Sequence, residues 1–201
     1  MVTVKVYVEG GGDDLALHTK CRKGFRVFLE NAGFKGRMPR IVACGSRADA
    51  YDSFCTALNI EGVDQFPILL VDGEAPVTSA PWLHVKTRAG DGWERPSGAA
   101  DDHLHLMVQC MEAWFLADKD RLAGYYGQKF IPRHLPGNAN AEEVAKADVM
   151  RGLKMATRGT KKGEYSKGSH SFEILEGIAS AKIKNLPHVK RLFAVLDAKL
   201  Q

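Results

Sequence analysis

Two short stretches place carboxylates at glycine turns. In "VKVYVEGGGDD", residues 4–14, an apolar run reaches Glu9, three glycines follow, and Asp13 and Asp14 come next. In "FPILLVDGE", residues 66–74, a second apolar run ends in Asp72 and Glu74 with one glycine between them. Hard divalent cations take oxygen ligands and keep several waters, so such carboxylates at converging strand ends suit Mg²⁺ or Mn²⁺. Without a cation the cluster would repel itself and its pKa values would rise. Acids at strand ends also solvate loops or cap helices, and Asp13 or Asp14 fits the N-cap of a following helix. The glycines do not complete a nucleotide cradle. Gly10 and Gly12 begin a G-x-G-x-x-G pattern, but Leu15 takes its third glycine position, and no G-x-x-x-x-G-K-[ST] run occurs.

These groups meet only if their strands are neighbours. Residues 2–8 alternate and are rich in valine, which reads as a strand. Residues 14–32 are helical in pattern, with Gly33 as the stop. "PRIVACG", 39–45, reads as a short buried strand, Ser46 as the cap of a helix over 47–58, and 66–74 as a third strand. This β-α-β-α-β order predicts a parallel sheet with right-handed crossovers. Functional groups in such sheets gather at the carboxyl ends of the strands. Adjacent strands lie about 4.8 Å apart, so Glu9, Asp13, Asp72 and Glu74 can share one cation.

Residues 75–101 are rich in Pro, Gly and Trp and read as a long connection. A fourth strand is expected over 103–109, a helix over 110–127, a loop over 131–140 and a helix over 142–155. A Gly-rich basic segment, 156–171, and helices near 171–178 and 187–200 close the chain. No internal repeat or low-complexity tract is present. The expectation is an α/β, Rossmann-like fold whose mainly parallel sheet of about four strands is flanked by helices. It forms a single domain over 1–201, with a core to about residue 120 and a helical C-terminal extension over about 121–201.

The totals exclude several classes. Of 201 residues, 45% are hydrophobic, enough for a substantial core. A net charge of +4 allows a local basic face without demanding nucleic acid. The four cysteines form no C-x-x-C pair, which argues against a zinc ribbon and for free thiols in a reducing compartment. No basic stretch followed by an apolar segment opens the chain, and no run approaches the roughly 20 apolar residues of a membrane helix. A cytoplasmic protein without membrane contact is expected.

Other residues can join the acidic group. Glu112 falls early in the helix after the fourth strand, where it either faces the cleft or sits at the surface, favoured by the helix dipole. Asp118, six residues on, points elsewhere and suits a cap or solvent. His103 and His105 form H-x-H, a pair able to bind a transition metal, but no third ligand of matching type is nearby. In the basic segment, Arg158, Lys161, Lys162 and Lys167 outweigh Glu164 by a local charge of +3, and Tyr165 can stack on a base. Arg22, Lys23 and Arg26 form a second basic group on the first helix, able to steer nucleic acid. Arg47 opens the second helix, where a phosphate can bind. Trp82, Trp93 and Trp114 read as core or loop anchors.

"VYVEGGGD" followed by "ILLVDGE" resembles the Toprim fold of topoisomerases, primases and OLD-type nucleases. That fold ends its first strand in glutamate and its third in D-x-D. Glu9 matches the glutamate and Asp72 the first aspartate. Glu74 stands where the second aspartate is expected and is one methylene longer. "HLMVQCMEAWFLAD", 105–118, resembles the F-E-x-W-type stretch of small RloB-like Toprim proteins and is similar to a bacterial domain-of-unknown-function family. The likeness runs from Val6 through "YSKGSHSFEIL", 165–175. It implies metal-dependent cleavage of DNA or RNA, with Mg²⁺ or Mn²⁺ held by Glu9, Asp13, Asp72, Glu74 and Glu112. Glu9 would also act as general acid or base, and Lys167 would offset transition-state charge. Arg22, Lys23, Arg47, Arg158, Lys161, Lys162 and His170 would contact nucleic acid. Relatives of this type often act in phage defence beside an ABC-type or other ATPase. Two alternatives stay open: a non-catalytic docking subunit of an ATPase complex, and a phosphoryl-transfer enzyme acting on small nucleotides.

Overall fold

The alternation seen in the strands sorts their side chains into two cores. In the computed structural model, which describes residues 2–60 and 64–201, β1 (Thr3–Gly11) sends Val4, Val6 and Val8 to one side and Tyr7 to the other. α1 (Leu15–Leu29) follows, capped by Asp14, whose Oδ1 accepts from Ala16 N at 2.7 Å. The chain then widens through Glu30–Phe34, with Gly33 at φ +98°, and enters β2 (Arg40–Gly45). Ser46 and Asp49 form a capping box at the start of α2 (Arg47–Leu58), and β3 (Gln65–Asp72) comes next. After α3 (Pro81–Thr87) the sheet is completed by β4 (Leu104–Met107). The sheet is all-parallel in the order β2-β1-β3-β4. Val8 faces Ala43 on one side and Leu70 on the other, and Asp72 faces Met107.

Helices cover both faces. α2 and α3 bring Ala50, Phe54, Trp82 and Val85 against Tyr7, Leu69 and Leu106. On the opposite face, α1 and the C-terminal helices build a core that runs from Val4 to Leu196. Those helices are α4 (Ala113–Ala117), α5 (Lys119–Tyr126), α6 (Lys146–Thr157), α7 (Lys167–Glu176), α8 (Ser180–Ile183) and α9 (Pro187–Lys199). Phe28 stacks on Trp114 at 5.4 Å there, and burying such side chains contributes about 1.5–3 kcal/mol each. Gly24 lets α7 approach α1 closely, since a Cβ at that position would lie 3.0 Å from Phe172 O. This is an α/β, Rossmann-like arrangement with a helical C-terminal region. No helix among the described residues is long and apolar enough to cross a membrane. All four cysteines are free thiols.

Several expected elements differ. The 75–101 connection contains α3, because Pro81 starts a turn whose Trp82 and Val85 bury against the sheet. The helix expected over 110–127 breaks at Asp118, which caps α5 by accepting from Arg121 N at 3.2 Å. The helix expected over 142–155 starts at Lys146, after a 3-10 turn at Ala141–Glu143. The basic segment ends early, because α7 starts at Lys167. β4 starts at Leu104, so His103 lies in a 3-10 turn and the two histidines share no strand face.

Candidate metal centre

The central strands bring Glu9 and Asp72 together. Past the Val8–Leu70 pair, Glu9 Oε2 accepts from Asp72 N at 3.2 Å. Beyond β3, Gly73 N donates to Met107 O at 2.7 Å and Glu74 N to Gln109 O at 2.6 Å. These bonds hold Glu74 at φ +65°, a left-handed conformation that costs a non-glycine residue about 1–2 kcal/mol. One carboxylate oxygen from each of Glu9, Asp72 and Glu74 then lies within 4.8 Å of the others.

Two ammonium groups sit among these oxygens. Lys146 Nζ lies 3.2 Å from Asp72 Oδ2 and 2.5 Å from Glu74 Oε1. Lys167 Nζ lies 3.1 Å from the same Asp72 oxygen and 3.9 Å from Glu112 Oε1. Lys146 opens α6 and Lys167 opens α7. A helix N-terminus disfavours cations, so the carboxylates, not the helix dipoles, account for both placements. Burial opposes the charge on Asp72, which is only 1% exposed, but Lys167, Lys146 and the Met111 N–H outweigh it and hold its pKa below the usual range. Burial and the neighbouring Asp72 charge push Glu9 up, partly offset by Arg47 and Lys167. Burial disfavours both ammonium charges, yet the adjacent carboxylates raise Lys146 and Lys167 above their ordinary value.

Glu112 is fully buried beside this group. Its Oε1 accepts from Tyr165 Oη at 2.9 Å, and its Oε2 has no hydrogen-bond partner among the described residues. A buried carboxylate oxygen without a partner is costly and calls for a bound water or ion. The all-oxygen donor set fits a hard divalent cation, with Glu9, Asp72 and Glu74 as the residues able to hold it and Glu112 outside that set.

Arg47 supports the cluster from behind. Its Nη1 donates to Glu9 Oε2 at 3.2 Å and to Asp72 O at 2.5 Å. Its Nε and Nη2 grip Asp91 at 2.8 and 2.7 Å, and Trp93 covers the guanidinium at 4.9 Å. Arg47 is thus spent on internal partners and does not wait at a helix end for phosphate. Next to the carboxylates, Glu9, Asp72, Lys167, Leu17, Met111 and Phe172 help line a cleft of about 230 Å³. Gly45 shapes its rim: at φ +83° a Cβ would come 2.6 Å from Gly12 O.

The other sequence candidates lie apart from the three carboxylates. Asp13 is exposed in the turn before α1. Arg22 donates to Thr19 Oγ1 at 3.0 Å, and Lys23 pairs with Glu176 at 3.0 Å, both at the surface. Arg158, Lys161 and Lys162 are exposed, with Lys162 Nζ 4.4 Å above the Tyr125 ring. His170 Nδ1 accepts from Ser166 N at 3.2 Å and lies 3.1 Å from Tyr126 Oη; burial lowers its pKa. Tyr165 is buried against Glu112 and offers no face to a base, contrary to the expectation for an exposed basic loop. His103 stacks on Phe66 at 4.3 Å, and His105 is buried against Asp102 O and Arg191. Lys146 and Asp91 carried no sequence signal, since neither belongs to a strand-end motif.

No curated protein and no solved structure matches this chain. A family described as a domain of unknown function (DUF4276) matches residues 8–197. That span contains Glu9, Asp72, Glu74, Glu112, Lys146 and Lys167, and the chain belongs to the DUF4276 family.

Proposed function

We propose that this chain is a Toprim-like, Mg²⁺- or Mn²⁺-dependent nuclease that hydrolyses phosphodiester bonds in DNA or RNA. The observation that carries the reading is the convergence of Glu9, Asp72 and Glu74 at the carboxyl ends of adjacent central strands, with Lys167 beside them in a cleft. A bound cation would lower the pKa of a water and offset charge on the phosphoryl oxygens. Asp72 stays ionised under its lysine partners and anchors the donor set. Glu9 uses Oε2 for both of its hydrogen bonds, which leaves Oε1 for proton transfer. Lys167 lines the cleft and offers its ammonium to the phosphate. The Toprim resemblance adds a setting, an effector of phage defence working with an ATPase.

The cleft supports a second reading. At about 230 Å³ it lies below the roughly 300–1,000 Å³ of most small-molecule sites, so the rest of a nucleotide would extend out of it. It admits one phosphate group and its neighbours, so phosphoryl transfer on a small nucleotide uses the same residues. Incubation with Mn²⁺ and single-stranded DNA, duplex DNA, RNA or nucleoside triphosphates, followed by product analysis, separates the two. Glu9→Gln and Asp72→Asn are the controls. Full activity retained in both would overturn the site.

A further inference from the structure

We propose that Lys146 is a built-in counter-ion that a divalent cation displaces, while Lys167 stays in place for the substrate's phosphate. This rests on the metal-dependent reading above and assigns the two lysines different fates.

The geometry distinguishes them. Lys146 Nζ bridges Asp72 Oδ2 and Glu74 Oε1, two of the three carboxylates in the donor set. Mg²⁺ binds oxygen at about 2.0–2.1 Å, so an ion among these oxygens needs the space the ammonium holds. Lys167 bonds Asp72 and approaches Glu112, lines the cleft, and makes no contact with Glu74. An ion that bridges Asp72 and Glu74 therefore takes the place of Lys146, while Lys167, which shares Asp72 Oδ2, keeps its approach to Glu112 and its place in the cleft.

Lys146 is also built to leave. Its side chain is 28% exposed, against 45% for Lys167, so either ammonium can reach water and it is the contact with Glu74 that singles out Lys146. Its backbone N donates to Gln109 Oε1 at 3.2 Å, which keeps the start of α6 anchored after the side chain moves. Gln109 O in turn accepts from Glu74 N, so the loop that carries Glu74 stays attached. Until metal arrives, the ammonium pairs with Glu74 and adds a second cation to the buried Asp72 beside Lys167. A monovalent ion would exchange one positive charge for another. A divalent ion gains one charge against the carboxylates, which selects for Mg²⁺ or Mn²⁺ over Na⁺ or K⁺.

The test combines calorimetric titration with amine labelling read by mass spectrometry, on the full chain. With saturating Mg²⁺, acylation of Lys146 should rise several-fold while that of Lys167 does not. Lys146→Met, whose side chain is one atom shorter and uncharged, should bind Mn²⁺ about tenfold tighter, as expected on deleting one nearby like charge. Binding of Mg²⁺ with Lys146 labelling unchanged or reduced overturns the exchange and leaves the metal site standing. Weaker binding by Lys146→Met, with its circular dichroism intact, also overturns it. No Mg²⁺ or Mn²⁺ binding by wild type or variant overturns the metal site itself, and the exchange with it.

Discussion

Lys167 Nζ stands 3.1 Å from Asp72 Oδ2, across 95 residues of chain. One partner ends a central strand and the other opens a helix on the C-terminal cover. The packing of α7 on α1 is what closes that distance, with Gly24 allowing Phe172 to approach. The candidate centre is therefore a joint product of the sheet and its cover, and each can be tested separately.

Asp72→Asn and Glu9→Gln should each lower Mn²⁺-supported cleavage by about 100-fold or more, the scale of losing a group aimed at developing charge. Asp72→Asn also weakens two ammonium contacts and should cost about 1–3 kcal/mol, read from urea unfolding.

Tyr165→Phe removes the donor to Glu112 Oε1 and leaves a fully buried carboxylate. Stability should fall by about 1.5–3 kcal/mol, the range for a hydrogen bond to a charged group. Adding Glu112→Gln to that variant should recover part of the loss, because a neutral amide is less costly to bury. Thermal melts of the three proteins check this, and a recovery of nothing would remove the charge as the cause.

His105 makes stability depend on pH. Burial first, then the Arg191 charge, holds its pKa at about 3, against an ordinary value of 6.5. Arg191 Nη1 faces Nδ1 at 3.2 Å, so Nδ1 accepts and Nε2–H donates to Asp102 O at 3.1 Å. Between those two pKa values the unfolded chain binds a proton that the folded chain refuses. The stabilisation is complete above pH 6.5 and declines as pH falls toward 3, by about 1.4 kcal/mol per pH unit from this group. Urea unfolding at pH 7, 6 and 5 should show the fall, and His105→Gln should flatten it.

Gly45→Ala should destabilise the protein by about 2 kcal/mol or more. It adds left-handed strain at φ +83° and a contact of 2.6 Å with Gly12 O, a backbone atom that has little room to yield. The same carbonyl accepts from His18 Nε2 at 2.6 Å. Chemical denaturation gives the cost, and Mn²⁺ titration of the variant should show weakened binding because Glu9 directly precedes this glycine loop.

The sequence by itself determined the sheet and where its acids fall. Period-two alternation and glycine turns are local signals, and they place Glu9 and Asp72 at the ends of β1 and β3. Ser46 and Asp118 were legible as caps for the same reason. Glu112 was legible from its place early in the helix after the fourth strand, with its two facings left open, and Lys167 was singled out within the basic segment by a family likeness, which carries spatial information that no local pattern holds. Only the tertiary structure decided the rest. Lys146 reaches Glu74 across 72 residues, and Arg47 reaches Asp91 across 44, through contacts that depend on how whole elements pack. A one-residue shift in the start of β4 separated His103 from His105, and burial took Tyr165 from the surface to Glu112. Local propensity encodes where a strand or helix ends. Which charges then face one another depends on burial and long-range packing, where the cost of an unpaired buried carboxylate outweighs any preference written in neighbouring residues.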